Sequence, residues 1–229
     1  IGYIRLVHFG EDTEKNISLA LNNLTKEKFQ GLILDLRNNP GGLLDVAVKV
    51  AGKFIPEGKV LVFTKGRKNK QNLEFFSDEK KPVLNVPMAI LINQGSASGS
   101  EIVAAALQYY RRAVIIGTTS FGKGSVQTVI PLSDGTAIKL TTSKYFTPDS
   151  KEISGKGVTP DIIVEESPQA PEETQDTVTT EEVFKKLEKE SKQPKKEDKI
   201  DYKSDQTIQR AMDLLKAIKF YKGFDVNEK

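Results

Sequence analysis

The chain has 229 residues, 38 % of them hydrophobic and 28 % charged, which suits one domain of ordinary size or one domain with an appendage. Its 34 basic and 31 acidic residues leave a formal charge of +3, too balanced to argue for nucleic acid or anionic lipid, and no apolar run approaches the length of a bilayer-spanning helix. There is no cysteine and one histidine, His8, so disulfides, thiolate metal sites, cysteine nucleophiles and poly-histidine metal sites are excluded, and a Ser-His-Asp triad would have to use His8.

Residues 1–9 alternate apolar and polar as a strand does, and the chain opens without an initiator Met, which reads as a piece of something longer. Residues 12–28 suit a helix with Ile17, Ala20, Leu21 and Leu24 on one face. QGLILDLR, 30–37, is a strand of the kind buried on both faces, and NNPGG, 38–42, is a tight turn before helical spacing at 43–54. Strands are expected at 59–64 and 71–76 with a basic turn between them. VPMAILIN, 86–93, is a second buried-type strand, broken by GSASGS ahead of a helix over 101–113. A strand at 113–117 follows, and then a hairpin turning at Ser133-Asp134-Gly135. Strands alternating with helices predict an α/β fold with a largely parallel sheet, to which the hairpin adds antiparallel character. Composition shifts near Pro168: 167–180 reads as a linker, 180–191 as a helix, 192–204 as irregular, and 205–218 as an amphipathic helix with Ile208, Met212, Leu215 and Ile218 on one side. There is no internal repeat.

The strand–turn–helix at 86–108 sets Ser98 at a helix start, where unpaired amides and the helix dipole stabilise negative charge. This is the layout of a nucleophile elbow, although the GxSxG pattern is absent. Ser98 with Glu101 three residues on is equally a capping box. A serine nucleophile needs a base. His8, on the first strand, reads as a half-buried structural histidine, which leaves a lysine as the base of a Ser-Lys pair. Lys123, in FGKGSVQ, follows an apolar strand between two glycines, and burial would lower its pKa. If Lys123 leads into an extended strand, residues 123, 125 and 127 share a face and Gln127 can hold the ammonium group. The competing reading is a solvated loop lysine. The NNPGG turn can present a free N–H. It lacks the GxxxxGK[ST] and GxGxxG patterns that phosphate binding would need.

Together GYIR, LDLRNNPGGLL, GSASGSEIVAAAL, TTSFGKGSVQ and YFTPDSKEISGKGVTPDI (145–162) resemble the carboxy-terminal processing, or tail-specific, peptidases, serine endopeptidases with a Ser-Lys dyad. The likeness covers about residues 1–165 in order, and the 25-residue step from Ser98 to Lys123 makes the joint match specific. It implies a crotonase/ClpP-like catalytic core over 1–166, a linker at 167–180 and a C-terminal helical appendage over 181–229. It also implies Ser98 as nucleophile, Lys123 as general base and Gln127 as the residue that orients Lys123. The N–H of Gly99 and that of Gly41 or Gly42 would form the oxyanion hole. The family's turn usually reads S-A-S-A-S-E, whereas this chain has Gly99 after Ser98, which keeps the N–H but adds flexibility.

The resemblance further implies acyl transfer without metal or small-molecule cofactor, polypeptide substrates with apolar C-termini, an extracytoplasmic location, and homodimers through C-terminal helices. Family members carry a PDZ domain ahead of the core. This chain starts where that domain would end, so tail recognition by it is expected to be weak. Two readings from other classes compete: a catalytically silent peptide-binding scaffold of the same fold, and a crotonase-like enzyme of acyl-CoA chemistry.

Overall fold

The structure is a computed structural model that describes residues 1–67, 72–80, 85–165 and 202–224. The linker expected at 167–180, the helix at 180–191 and most of the charged stretch after it lie outside the described residues.

Five strands form a parallel sheet: β1 (Gly2–Arg5), β2 (Leu32–Asp35), β5 (Met88–Ile92), β6 (Val114–Gly117) and β9 (Ile162–Ile163), in that spatial order. Helices α1 (Thr13–Lys26), α2 (Leu44–Gly52) and α3 (Gly99–Tyr109) connect them. Side chains alternate across a strand, so a strand buried on both faces feeds two cores. Leu32 and Leu34 of β2 pack with Ile17 and Leu21 of α1, Val50 of α2 and Val103 of α3. Ile33 faces the other way, joining Ala89, Leu91 and Ile116 against Ile208, Ala211 and Leu215 of α4 (Gln206–Phe224). The apolar stripe of the C-terminal helix is thus buried on the sheet, with Phe220 and Tyr221 exposed at its far end.

The hairpin does not extend this sheet. Strands β7 (Ser125–Pro131) and β8 (Ala137–Phe146) join β3 (Val60–Gly66) and β4 (Leu73–Phe76) in a separate antiparallel sheet, ordered β4-β3-β8-β7. Val62, Tyr145 and Ile153 pack under it against Ile102 of α3. The strand expected over 1–9 is shorter. β1 stops at Arg5 because its partner β2 stops at Asp35 and turns into NNPGG. The chain then crosses over that turn, with Phe9 bridging Gly42. His8 lies in this crossing and is exposed, not half-buried in a strand.

Candidate functional site

Two turns meet at the carboxyl ends of β2 and β5. The first, residues 38–42, is fixed by side chains that replace missing backbone partners. Buried Asn39 donates through Nδ2 to the Leu6 carbonyl, and its Oδ1 accepts the Gly41 N–H at 2.9 Å. Asn93 at the end of β5 accepts from the N–H groups of Asn38 and Gly95, and donates to the Asn38 side chain. The Oγ groups of Ser96 and Ser100 donate to the carbonyls of Leu36 and Asn39, and the Ala97 N–H also reaches Asn39 O. The contact is close. A Cβ on Gly41 would lie 2.7 Å from Ser98 Cβ and 2.8 Å from Gly99 N, so only glycine fits there, at φ +97°.

Ser98 sits half-buried at the start of α3 with φ 53° and ψ −111°, a conformation that glycine favours. A non-glycine residue held this way costs on the order of 1–3 kcal/mol, and such strain clusters at functional turns. It is the sharp strand-to-helix bend of a nucleophile elbow, reached here without the GxSxG pattern.

The amides of the two turns divide clearly. Ser98 N–H is taken by Glu101, Ser100 N–H by Ala97 O, and Glu101 N–H by Ser98 O. Gly41 N–H is taken by Asn39, and Leu43 N–H by Phe9 O. The N–H groups of Gly99 and Gly42 donate to no group among the described residues. Gly99 also fits its surroundings. An added methyl would meet Phe9 and the Ala47 methyl at 3.1 Å, so glycine is the residue that sits here without a neighbour giving way.

The lysine turn, 120–124, is tied to the serine turn by the Phe121 N–H, which donates to Ser96 O at 2.9 Å, and by one carboxylate. Glu101 is fully buried. Its Oε1 accepts from Ser120 Oγ and Gly122 N, both at 2.6 Å. Its Oε2 accepts from Ser98 N at 2.8 Å and Lys123 N at 2.9 Å. Burial pushes this carboxyl above the usual carboxylate range, against the pull of its four donors. From the sequence Glu101 reads only as the partner of a capping box. The signal that would have revealed more is an acid in the otherwise apolar run IVAAAL, where a buried carboxylate needs several donors.

Lys123 is half-buried between Gly122, at φ +87°, and Gly124, whose added Cβ would collide with Ser154 N. It precedes β7 instead of lying in it, so strand alternation does not extend back from Gln127 to Lys123. Gln127 is exposed on β7, paired with Thr141 just past a bulge. Among the described residues no group of three or more His, Asp or Glu side chains could hold a metal ion.

Behind the first turn, Arg37 binds buried Asp35 through Nε and Nη2 and reaches Asp205, the residue before α4, at 2.8 Å. Asp205 in turn accepts the Ile208 N–H at 3.0 Å, capping α4. This link between the LDLR strand and the C-terminal helix is not readable from sequence, since its partners lie 168 residues apart.

The sequence profile of peptidase family S41 matches residues 1–164. The chain is 49 % identical over 176 residues to the carboxy-terminal-processing protease of Bartonella bacilliformis, a match covering 72 % of this chain and 39 % of that protein. It is 42 % identical over 166 residues to the carboxyl-terminal-processing protease of Synechocystis sp., covering 72 % and 38 %. Among solved structures, the photosystem II D1 C-terminal processing protease superposes with a TM-score of 0.66 at 34 % identity, over 81 % of this chain and 46 % of that one. The chain therefore spans about two fifths of the length of these curated relatives.

Proposed function

The chain belongs to peptidase family S41, and from that premise we propose that it is the catalytic core of a serine endopeptidase working through a Ser98–Lys123 dyad. One observation carries the reading: a single buried carboxylate oxygen, Glu101 Oε2, accepts both the Ser98 and the Lys123 N–H, so the two turns are built as one unit. A solvated loop lysine would need no such anchor.

In this mechanism neutral Lys123 takes the Ser98 proton as Oγ attacks the scissile carbonyl. The N–H groups of Gly99 and Gly42 receive the oxyanion. Of the two glycines of the NNPGG turn, Gly42 is the donor we assign, because Asn39 already holds the Gly41 N–H. Protonated Lys123 then gives its proton to the leaving amine, and water releases the acyl-enzyme by the reverse route. Gln127, at the root of the β7–β8 hairpin, steadies Lys123. The substrates are extended or unfolded polypeptides with apolar C-termini, met outside the cytoplasmic membrane. Self-association through α4 would use its exposed end, Phe220 and Tyr221, since the apolar stripe is occupied by the sheet.

The test is cleavage of an unfolded polypeptide with an apolar C-terminus, read by mass spectrometry, alongside labelling of Ser98 by a fluorophosphonate. Both should vanish in Ser98→Ala. Labelling that persists in Ser98→Ala, or its absence from the unaltered chain, would move the reading to a peptide-binding scaffold.

A further inference from the structure

The hairpin that grows out of the lysine turn has a second feature. Among the described residues β7 is the outermost strand of its sheet, and SVQTVI carries no charge along that edge. Exposed sheet edges are usually blunted by lysine, proline or a cover, because their unpaired amides recruit other strands. Here the one blunting residue, Pro131, lies at the far end from the site.

The direction of the amides follows from the ladder. Leu132 N–H donates to Thr136 O at 2.8 Å, so this pair is hydrogen-bonded. Antiparallel pairs alternate, which makes Ile130–Ile138 and Thr128–Leu140 the bonded pairs and turns the N–H and C=O of Gln127 and Val129 to the open edge. The face is apolar as well. Val126 packs into the core under the sheet, and alternation places Thr128 and Ile130 on that same side, beyond the reach of α3. Ile130 and Leu132, with Ile138 and Leu140 opposite, stand 41–51 % exposed.

We propose that β7 is a docking edge for the polypeptide substrate, which adds to it as an antiparallel strand and lays aliphatic side chains at alternate positions over Ile130 and Leu140. The occupant is argued from continuity. β7 begins two residues after Lys123, so a strand paired with it leads directly into the dyad. The edge strand itself carries no charge, which selects an apolar segment; the hairpin's charges, Asp134, Lys139 and Lys144, sit on the turn and on β8. β7 runs away from Lys123, so an antiparallel partner runs toward it, and the segment preceding the scissile bond lies on the edge. In naming its occupant this inference rests on the peptidase reading.

The test uses Ser98→Ala protein and a fluorescein-labelled short peptide alternating valine and serine, read by fluorescence anisotropy. Saturable binding is expected. Val129→Pro, which removes one outward N–H and leaves the ladder to β8 intact, should weaken it about tenfold, whereas Val129→Thr should not. Replacing the peptide's valines with lysine should weaken it similarly. With Ser98 restored, fluorophosphonate labelling should be the same with and without Val129→Pro, and cuts in an unfolded polypeptide should follow aliphatic residues at alternate positions before the cleaved bond. Equal binding by Val129→Pro, no binding at all, or loss of labelling in Val129→Pro would overturn the proposal. A dimer broken by Val129→Pro would do so too, by giving the edge to a second copy. Absence of labelling in the unaltered chain sinks the peptidase reading instead, and leaves the edge to be judged by anisotropy alone.

Discussion

The serine turn and the lysine turn are built on different principles. The serine turn is walled in: Asn39, Asn93, Ser96 and Ser100 are buried, and each hydrogen-bonds into the NNPGG turn or the end of β2. The lysine turn leads onto a hairpin whose outer half is exposed on both faces, and at its root it is held to the serine side by Glu101 and by the Phe121 N–H donated to Ser96 O. A nucleophile and an oxyanion hole gain from preorganisation, so rigidity on that side has a clear physical use. On the proposed base side the turn itself is bonded to its neighbours, and displacement would cost least along the outer hairpin, where few buried contacts oppose it.

The largest effects should come from the dyad itself. Ser98→Ala and Lys123→Ala are each expected to lower kcat by about 10⁴-fold or more, and the double variant by little beyond either, because the two act as one unit. Additive losses in kinetics on an unfolded polypeptide would break the idea of a dyad. Next comes Gly41→Ala. Its methyl would press on the backbone of Ala97 and Gly99 as well as on Ser98, so stability and activity should fall together. Gly58→Ala is the control. It has φ +78° with nothing within 4 Å, so a thermal melt should show only the left-handed cost, about 1–2 kcal/mol. If the two variants melt alike, the close contact of the two turns is not what fixes the serine side.

Glu101→Gln addresses the tie between the turns. An amide supplies one acceptor oxygen where the carboxylate supplies two, so two of four buried donors lose their partner. The expected cost is about 1–3 kcal/mol in denaturant unfolding. Turnover should fall about 10- to 100-fold, by displacement of Lys123 more than of Ser98. Fluorophosphonate labelling retained alongside slow acylation of a peptide would sharpen the contrast between the sides. Equal loss of both would erase it.

Much of this was legible in the sequence, and unevenly. Buried strands at 30–37 and 86–93 announce themselves because both faces of each are apolar, and the turns after them because Gly and Pro permit little else. The motif order also supplies the candidates of the proposed site, Ser98, Lys123 and the NNPGG glycines. Two things could not be read. Whether the hairpin joins the parallel sheet or leaves it depends on pairing with β3, a contact across some eighty residues that periodicity does not encode. The choice between Gly41 and Gly42 depends on where one asparagine side chain points. His8 was misjudged for a related reason. Alternation continues through residue 9, but the partner strand ends first and leaves His8 in solvent.

The smallest predicted effect lies farthest from the dyad and asks how deep the rigidity of the serine side runs. Arg37 holds Asp35 beneath the NNPGG turn and Asp205 at the head of α4. Burial pushes the Asp205 carboxyl up, but the Arg37 guanidinium and the Ile208 and Thr207 amides more than offset it, and hold it below the usual aspartate range. A carboxyl with a lowered folded-state pKa contributes stability that is fully present above its unfolded value, about 3.9, and is lost as pH falls through its folded value. Acidification below about pH 4 should therefore loosen α4, read as faster amide exchange over 206–218. Asp205→Asn should abolish that pH dependence, and Asp205→Ala should cost about 1–2 kcal/mol through the lost cap and ion pair. If turnover at neutral pH also falls in Asp205→Asn, the helix supports the serine turn through Arg37. If it does not, the buried asparagines and serines fix that turn by themselves, and the rigid half of the site ends at β2.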